Sequence, residues 1–155
     1  MPFVSSFNCL QIFEKDNDSI TLLIMRPKTP SIAADTIIEF EGGIVLVERK
    51  FEPLGWAIPG GFVDIGESVE DAATREAKEE TNLDVSDLKQ FHTYSEASRD
   101  PRGHTVSIVF TAKGFGELKG LDDAKQAKVF NKDNLPELAF DHKKILEDYF
   151  NGKRR

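Results

Sequence analysis

Three carboxylates and two cations crowd six consecutive residues, Arg75-Glu76-Ala77-Lys78-Glu79-Glu80. On a helix turning 100° per residue, Glu76, Glu79 and Glu80 fall within about one 100° sector. Val69, Ala72 and Ala73 lie on the same side, while Glu70, Asp71, Thr74 and Lys78 point away. The acids therefore share a face with small apolar residues that let a helix approach a sheet. Glu76 and Glu80 form an i,i+4 like-charge pair, unfavourable by a few tenths of a kcal/mol on a bare helix and more so when buried. Something positive is needed there. All-oxygen donors with no His or Cys nearby suit Mg²⁺ or Mn²⁺, ions that also bridge to phosphate oxygens. The plainer alternative is a solvated glutamate-rich helix.

The elements that must position these acids are legible around them. Ser68 is a good N-cap with Asp71 three residues on, and Glu70 and Asp71 favour the first turn, so the pattern predicts a helix over 68–81. Asn82 suits the left-handed residue that ends it. Residues 51–61 hold two prolines and three glycines and form a shaped loop leading into a short strand at Phe62-Val63-Asp64. Before it, Asp35 to Phe40, the turn Glu41-Gly42-Gly43 and Ile44 to Arg49 read as a hairpin. After the helix come strands near 85–95 and 105–113, separated by Asp100-Pro101-Arg102-Gly103, which fits a type I turn. Residues 116–127 read as a loop, 128–131 as a short strand and 141–149 as a final helix. Phe7 to Phe13 and Ile20 to Met25, parted by Lys15 to Ser19, read as an N-terminal strand pair or arm over 1–30. The class is α/β, more strictly α+β: a mixed sheet with helices on its faces.

With 155 residues, 39% hydrophobic and 30% charged, the chain is expected to form a single domain over 1–155 with a real core. A net charge of −7 excludes a general nucleic-acid binder, which needs a basic footprint. The short basic run Lys153-Arg154-Arg155 does not alter that balance. One cysteine, Cys9, excludes an internal disulfide and a Cys-based zinc site. No Lys or Arg precedes Lys15, no secretory-length apolar stretch follows, and Ile44 to Val47 is too short to cross a bilayer. The expectation is a soluble, cytoplasmic protein without membrane partners.

Gly61 is followed after five residues by Glu67, then after seven by Arg75-Glu76, then by Glu79-Glu80 and Asn82-Leu83. This 61–83 segment resembles the loop–helix–loop signature of the Nudix hydrolases, with Asn82 in place of its glycine and Ala77 in place of a larger aliphatic residue. Arg99-Asp100-Pro101-Arg102-Gly103-His104 and Phe140-Asp141-His142 extend the resemblance to small bacterial and archaeal ADP-ribose pyrophosphatases. Ala97 stands where ADP-ribose members commonly carry proline. The resemblance implies the Nudix fold, a mixed β-sheet sandwiched between α-helices. It implies Mg²⁺-dependent (or Mn²⁺-dependent) hydrolysis of a nucleoside diphosphate linked to another moiety, foremost ADP-ribose to AMP and ribose 5-phosphate. Alternatives are a (d)NTP pyrophosphohydrolase of the nucleotide-sanitising type and a non-catalytic nucleotide-sensing module. A homodimer is also implied.

Residue by residue, the resemblance assigns metal coordination to Glu76, Glu79, Glu80 and the Gly61 carbonyl. Glu79 and Glu80 are also candidate bases, but a cation-bound carboxylate is a poor base; Asp122, Asp123 and Glu96 are the alternatives, each set against a solvated loop acid. Glu67 and Arg75 pair to hold the loop on the helix. Arg49, Arg99 and Arg102 are candidate contacts to phosphate or ribose. Trp56 or a phenylalanine could stack on adenine, although core packing is the better reading for any one of them. His104 and His142 are read as structural hydrogen-bonding residues.

Overall fold

The computed structural model describes residues 10–13, 21–24, 29–120 and 124–152. The Lys15–Ser19 turn, Asp122, Asp123 and the basic run at 153–155 lie outside the described residues. Strands β1 (Leu10–Phe13) and β2 (Thr21–Ile24) pair antiparallel as a two-stranded sheet.

The main sheet is built on β3 (Ser31–Phe40), in which six consecutive residues, Ala33 to Ile38, are buried. Such a run occurs when both faces of a strand are covered. Alternation assigns the faces. Ala34 and Ile38 join clusters with Ala72, Ala73 and Ala77 of helix α1, whereas Ile37 packs with Ile145 and Leu146 of helix α2. The strands β4 (Gly43–Arg49), β5 (Trp56–Ala57) and β6 (Gly60–Phe62) follow, then α1 (Val69–Thr81), β7 (Asp84–Tyr94), β8 (Thr105–Phe115), β9 (Ala124–Phe130) and α2 (His142–Phe150). The central order is β5-β4-β3-β8-β7, with β6 on β3 and β9 on β4. β3 and β8 run parallel over nine register positions; the other pairings are antiparallel. This is a mixed sheet between two helices, as the sequence implies.

β3 and β4 pair at only two positions, Glu39↔Ile44 and Phe40↔Gly43. Below the hairpin β4 leaves β3, and β6 takes its place through Ala33↔Phe62, Ala34↔Gly61 and Asp35↔Gly60. The parting opens a cleft between the two helical layers. The expected strand at 62–64 is thus found two residues earlier, where glycines let β6 lie against both β3 and α1. The expected loop at 116–127 also ends sooner, because β9 already pairs Ala124 with Arg49 and Gln126 with Glu48.

Helix α1 begins and ends as its sequence dictates. The Ser68 hydroxyl accepts the Asp71 amide at 3.1 Å, and Asn82 caps the other end at φ 61°. Ala72, Ala73 and Ala77 have no exposed surface, so three methyl groups set the short distance between helix and sheet. The Thr36 hydroxyl donates to the Ala73 carbonyl across that contact.

Candidate active site

The cleft encloses about 370 Å³. Its floor is the Gly60-Gly61 backbone, pressed between β3 and α1. A Cβ at Gly61 would stand 2.2 Å from Glu76 Oε1, and one at Gly60 would stand 2.3 Å from Asp35 Oδ1 and 2.5 Å from the Ala34 carbonyl oxygen. A side chain at Gly61 would displace the Glu76 carboxylate, and one at Gly60 would press on the backbone of β3. The Gly60 N–H donates to Glu80 Oε2 at 3.0 Å, fixing that carboxylate against the loop.

Burial dominates the electrostatics of the acidic wall. It pushes the Glu80 carboxyl up to about 8, against the Gly60 amide that favours the charged form. Glu76 is raised for the same reason, with Arg75 opposing. A third acid, Asp35, is pushed up to about 6 by burial; the Ser107 hydroxyl that donates to its Oδ2 acts in the other direction. Sequence reasoning missed Asp35 as a cleft residue. The available signal was a lone carboxylate inside the apolar run Ile32-Ala33-Ala34-Asp35-Thr36-Ile37-Ile38.

Arg75 knits the outer edge of this wall. Its Nε and Nη2 donate to both oxygens of Glu67 at 2.8 and 3.0 Å, Nη1 donates to Glu76 at 2.6 Å and Glu79 at 3.1 Å, and Nη2 also reaches the Phe62 carbonyl. The bidentate bond to Arg75 holds the Glu67 carboxyl down at about 2. Loop and helix are therefore clamped through one guanidinium whose donors engage carboxylates and a carbonyl.

The same cleft also has a cationic and aromatic lining. Arg49 and Arg102 line the cleft, with their guanidinium carbons 4.8 and 4.9 Å from the centre of the Phe140 ring. Arg102 is bidentate to Asp100, and its side chain is 44% exposed; that of Arg99 is 4% exposed and bidentate to Asp141. The two arginines of one motif thus divide: Arg99 anchors α2, and Arg102 faces the cleft. His142 anchors the same helix end by accepting the Ile58 N–H on Nδ1 at 2.9 Å. Burial pushes its imidazole down to about 3, so the ring is neutral with its proton on Nε2.

The structure brings Gly61, Arg75, Glu76, Glu80, Arg49, Arg99 and Arg102 to one cleft. Glu79 sits at the exposed edge on Arg75, and Glu67 sits behind the loop. Glu96 is exposed and paired with Lys144, outside the cleft lining. Trp56 packs edge-on against Phe130 at 4.8 Å beside the core. Among the described residues no three acids already converge as a closed metal cage. The donor chemistry nonetheless fits a hard divalent ion: the carboxylate oxygens of Glu76 and Glu80 stand beside the Gly60-Gly61 backbone with no side chain in the way. Among the described residues, no helix is long and apolar enough to cross a membrane.

Comparison with known proteins agrees with this geometry. A model of the NUDIX domain matches residues 27–149. An ADP-ribose pyrophosphatase of Methanocaldococcus jannaschii is 50% identical over 127 residues, which cover 80% of this chain and 75% of that protein. The ADPR-responsive transcriptional repressor NtrR of Acinetobacter baylyi is 31% identical over 72% of this chain and 49% of its own length, so the chain spans about half of that relative. Among solved structures, the NUDIX domain of Shewanella oneidensis NrtR complexed with ADP ribose superposes with a TM-score of 0.73 at 27% identity, covering 81% of this chain and 89% of that one. A signature of spaced acids, a parted mixed sheet and a family match over most of the chain lead to one conclusion: this protein belongs to the Nudix family and is a Nudix hydrolase.

Proposed function

We propose that the chain hydrolyses ADP-ribose to AMP and ribose 5-phosphate. The observation that carries this reading is the convergence on one cleft of the acids Glu76 and Glu80 and the cations Arg49 and Arg102. The 50% identity to a protein named ADP-ribose pyrophosphatase supports the substrate. In the reaction water adds its oxygen to one phosphorus, the bridging P–O bond breaks, and the two departing protons are shared between the products and solvent.

Glu76, Glu79, Glu80 and the Gly61 carbonyl would hold Mg²⁺ or Mn²⁺. Bound there, the ion supplies charge neutralisation on the diphosphate and lowers the pKa of water. The chain's own residues do the rest. The Gly60 amide orients Glu80, and Arg75 restrains Glu76 and Glu79 while Glu67 fixes Arg75. Arg102, fixed by Asp100, contributes positive charge toward a phosphate or ribose, and Arg49 adds to it. Asp122 and Asp123 directly precede Ala124, which lines the cleft, and we assign the base to one of them. We place the enzyme in the cytoplasm as a homodimer on family resemblance; sedimentation velocity tests the second point.

A substrate panel with chromatographic separation of products tests the proposal. ADP-ribose turnover with AMP as product, abolished by chelation and restored by Mg²⁺, is the expected result. Efficient (d)NTP turnover with inert ADP-ribose would refute the substrate, and ADP-ribose binding without turnover would turn the chain into a sensing module.

A further inference from the structure

Phe140 carries a feature that the hydrolytic chemistry leaves unused. It is a bulky residue at φ 55°, in the left-handed region that non-glycine side chains rarely adopt. The flanking residues are tied in place. The Ala139 N–H donates to the Trp56 carbonyl at 2.8 Å, Asp141 is bidentate to Arg99, and His142 is bonded to Ile58. With both neighbours pinned, the backbone at 140 is held in this conformation. The result is placement: the ring lines the cleft with the Arg49 and Arg102 guanidiniums lying over it at nearly equal distances. Arg102 also lies 5.5 Å from the centre of the Phe62 ring, which is 47% exposed at the cleft edge.

We propose that Phe140 is a positioning residue for diphosphate binding: its ring holds Arg49 and Arg102 as a cationic wall of the cleft that Glu76 and Glu80 also line. This rests on reading the cleft as a diphosphate site. Two guanidiniums repel one another, and a ring whose π system attracts both offsets that repulsion while leaving their N–H edges directed by other partners. Asp100 sets the orientation of Arg102, and the Pro53 carbonyl accepts from Arg49 Nε at 2.8 Å. The ring ties these two separately anchored side chains into one unit. Tyrosine preserves this π system. Leucine keeps bulk without it, and glycine removes the ring while accepting the backbone conformation without strain.

The test is calorimetric binding of methylenediphosphonate, a diphosphate that resists hydrolysis, to the full chain in excess Mg²⁺. Wild type and Phe140→Tyr are expected to bind alike. Phe140→Gly and Phe140→Leu are expected to bind about tenfold more weakly, the scale of one or two cation–π contacts. Thermal unfolding of each variant is recorded beside it; Phe140→Gly keeps the experiment decisive even if Phe140→Leu fails to fold. Equal binding by wild type and Phe140→Gly overturns the proposal, as does a Phe140→Tyr protein as weak as Phe140→Gly, or a wild type that does not bind the probe. Ring-dependent probe binding in a protein that leaves ADP-ribose intact overturns the substrate reading instead and leaves the wall standing. In an active enzyme Phe140→Gly and Phe140→Leu raise KM about tenfold with kcat within about twofold; a fall confined to kcat also overturns the positioning role.

Discussion

Adding one methyl group at Gly61 and one at Gly60 separates catalysis from stability. At Gly61 the new carbon would stand 2.2 Å from Glu76 Oε1 and 2.4 Å from its carboxyl carbon. Reaching even a tight 3.0 Å contact requires the carboxylate to retreat by about 0.8 Å, and it sits at the end of a flexible side chain, so the fold yields cheaply. The cost falls on geometry: displacing a reacting constellation by about 1 Å costs on the order of 10²-fold in rate. At Gly60 the methyl would meet the Ala34 carbonyl at 2.5 Å and the Asp35 Cα at 2.7 Å, both backbone atoms of the central strand. Relief there moves β3 or β6, a cost of about 1–3 kcal/mol. Steady-state ADP-ribose hydrolysis at saturating Mg²⁺ and urea unfolding of the metal-free protein read the two effects. The expected result is a Gly61→Ala enzyme that loses about 10²-fold in kcat/KM with unfolding free energy within about 1 kcal/mol of wild type, and a clearly destabilised Gly60→Ala protein. Near-wild-type turnover in Gly61→Ala would refute the claim that the Glu76 carboxylate works where it stands. Equal destabilisation by both changes would refute the distinction between yielding side chain and unyielding strand.

Glu80→Gln is expected to lower turnover by several powers of ten while stabilising the metal-free protein above neutrality. Native Glu80 keeps its proton to about pH 8 while the unfolded chain releases it near 4.5, so stability falls as pH rises across that window; the glutamine variant lacks this part of the slope, and denaturant titrations at several pH values measure the difference. His142 behaves in the opposite sense. Its folded value lies near 3 and its ordinary value near 6.5, so stability is lost as pH falls between them, and His142→Gln is expected to flatten that limb of the pH–stability curve. Arg75→Lys keeps the charge but cannot match both oxygens of Glu67. It is expected to cost about tenfold or more in kcat with little change in substrate affinity, measured at saturating Mg²⁺. Removing divalent ions with chelator is expected to abolish turnover without unfolding the chain, followed by circular dichroism alongside the activity assay.

Helix α1 and its acids were legible because local rules act alone there. A serine cap, an apolar stripe and an asparagine stop all lie within fifteen residues, and the structure places each as read. The β9 strand was half-legible: Ala124-Lys125-Gln126-Ala127 lacks β-branched residues, and it becomes a strand because the backbone of β4 needs a partner. Arg99 and Arg102 could not be told apart in sequence, since both flank the same turn. Only the tertiary position of Asp141, forty-two residues on, engages Arg99 in a buried bidentate pair while Arg102 stays exposed. The left-handed Phe140 was invisible for the same reason, and Asp35 showed only as a carboxylate out of place in an apolar run, as both environments are assembled by contacts distant along the chain.

The stitches from Asp141 to Arg99 and from His142 to Ile58 make the cleft a joint product of early and late segments. During synthesis the glutamate helix can form long before α2 leaves the ribosome, but the cationic wall cannot. A nascent chain is therefore catalytically silent until α2 docks, and proteolytic loss of that helix would disarm the enzyme without touching Glu76, Glu79 or Glu80.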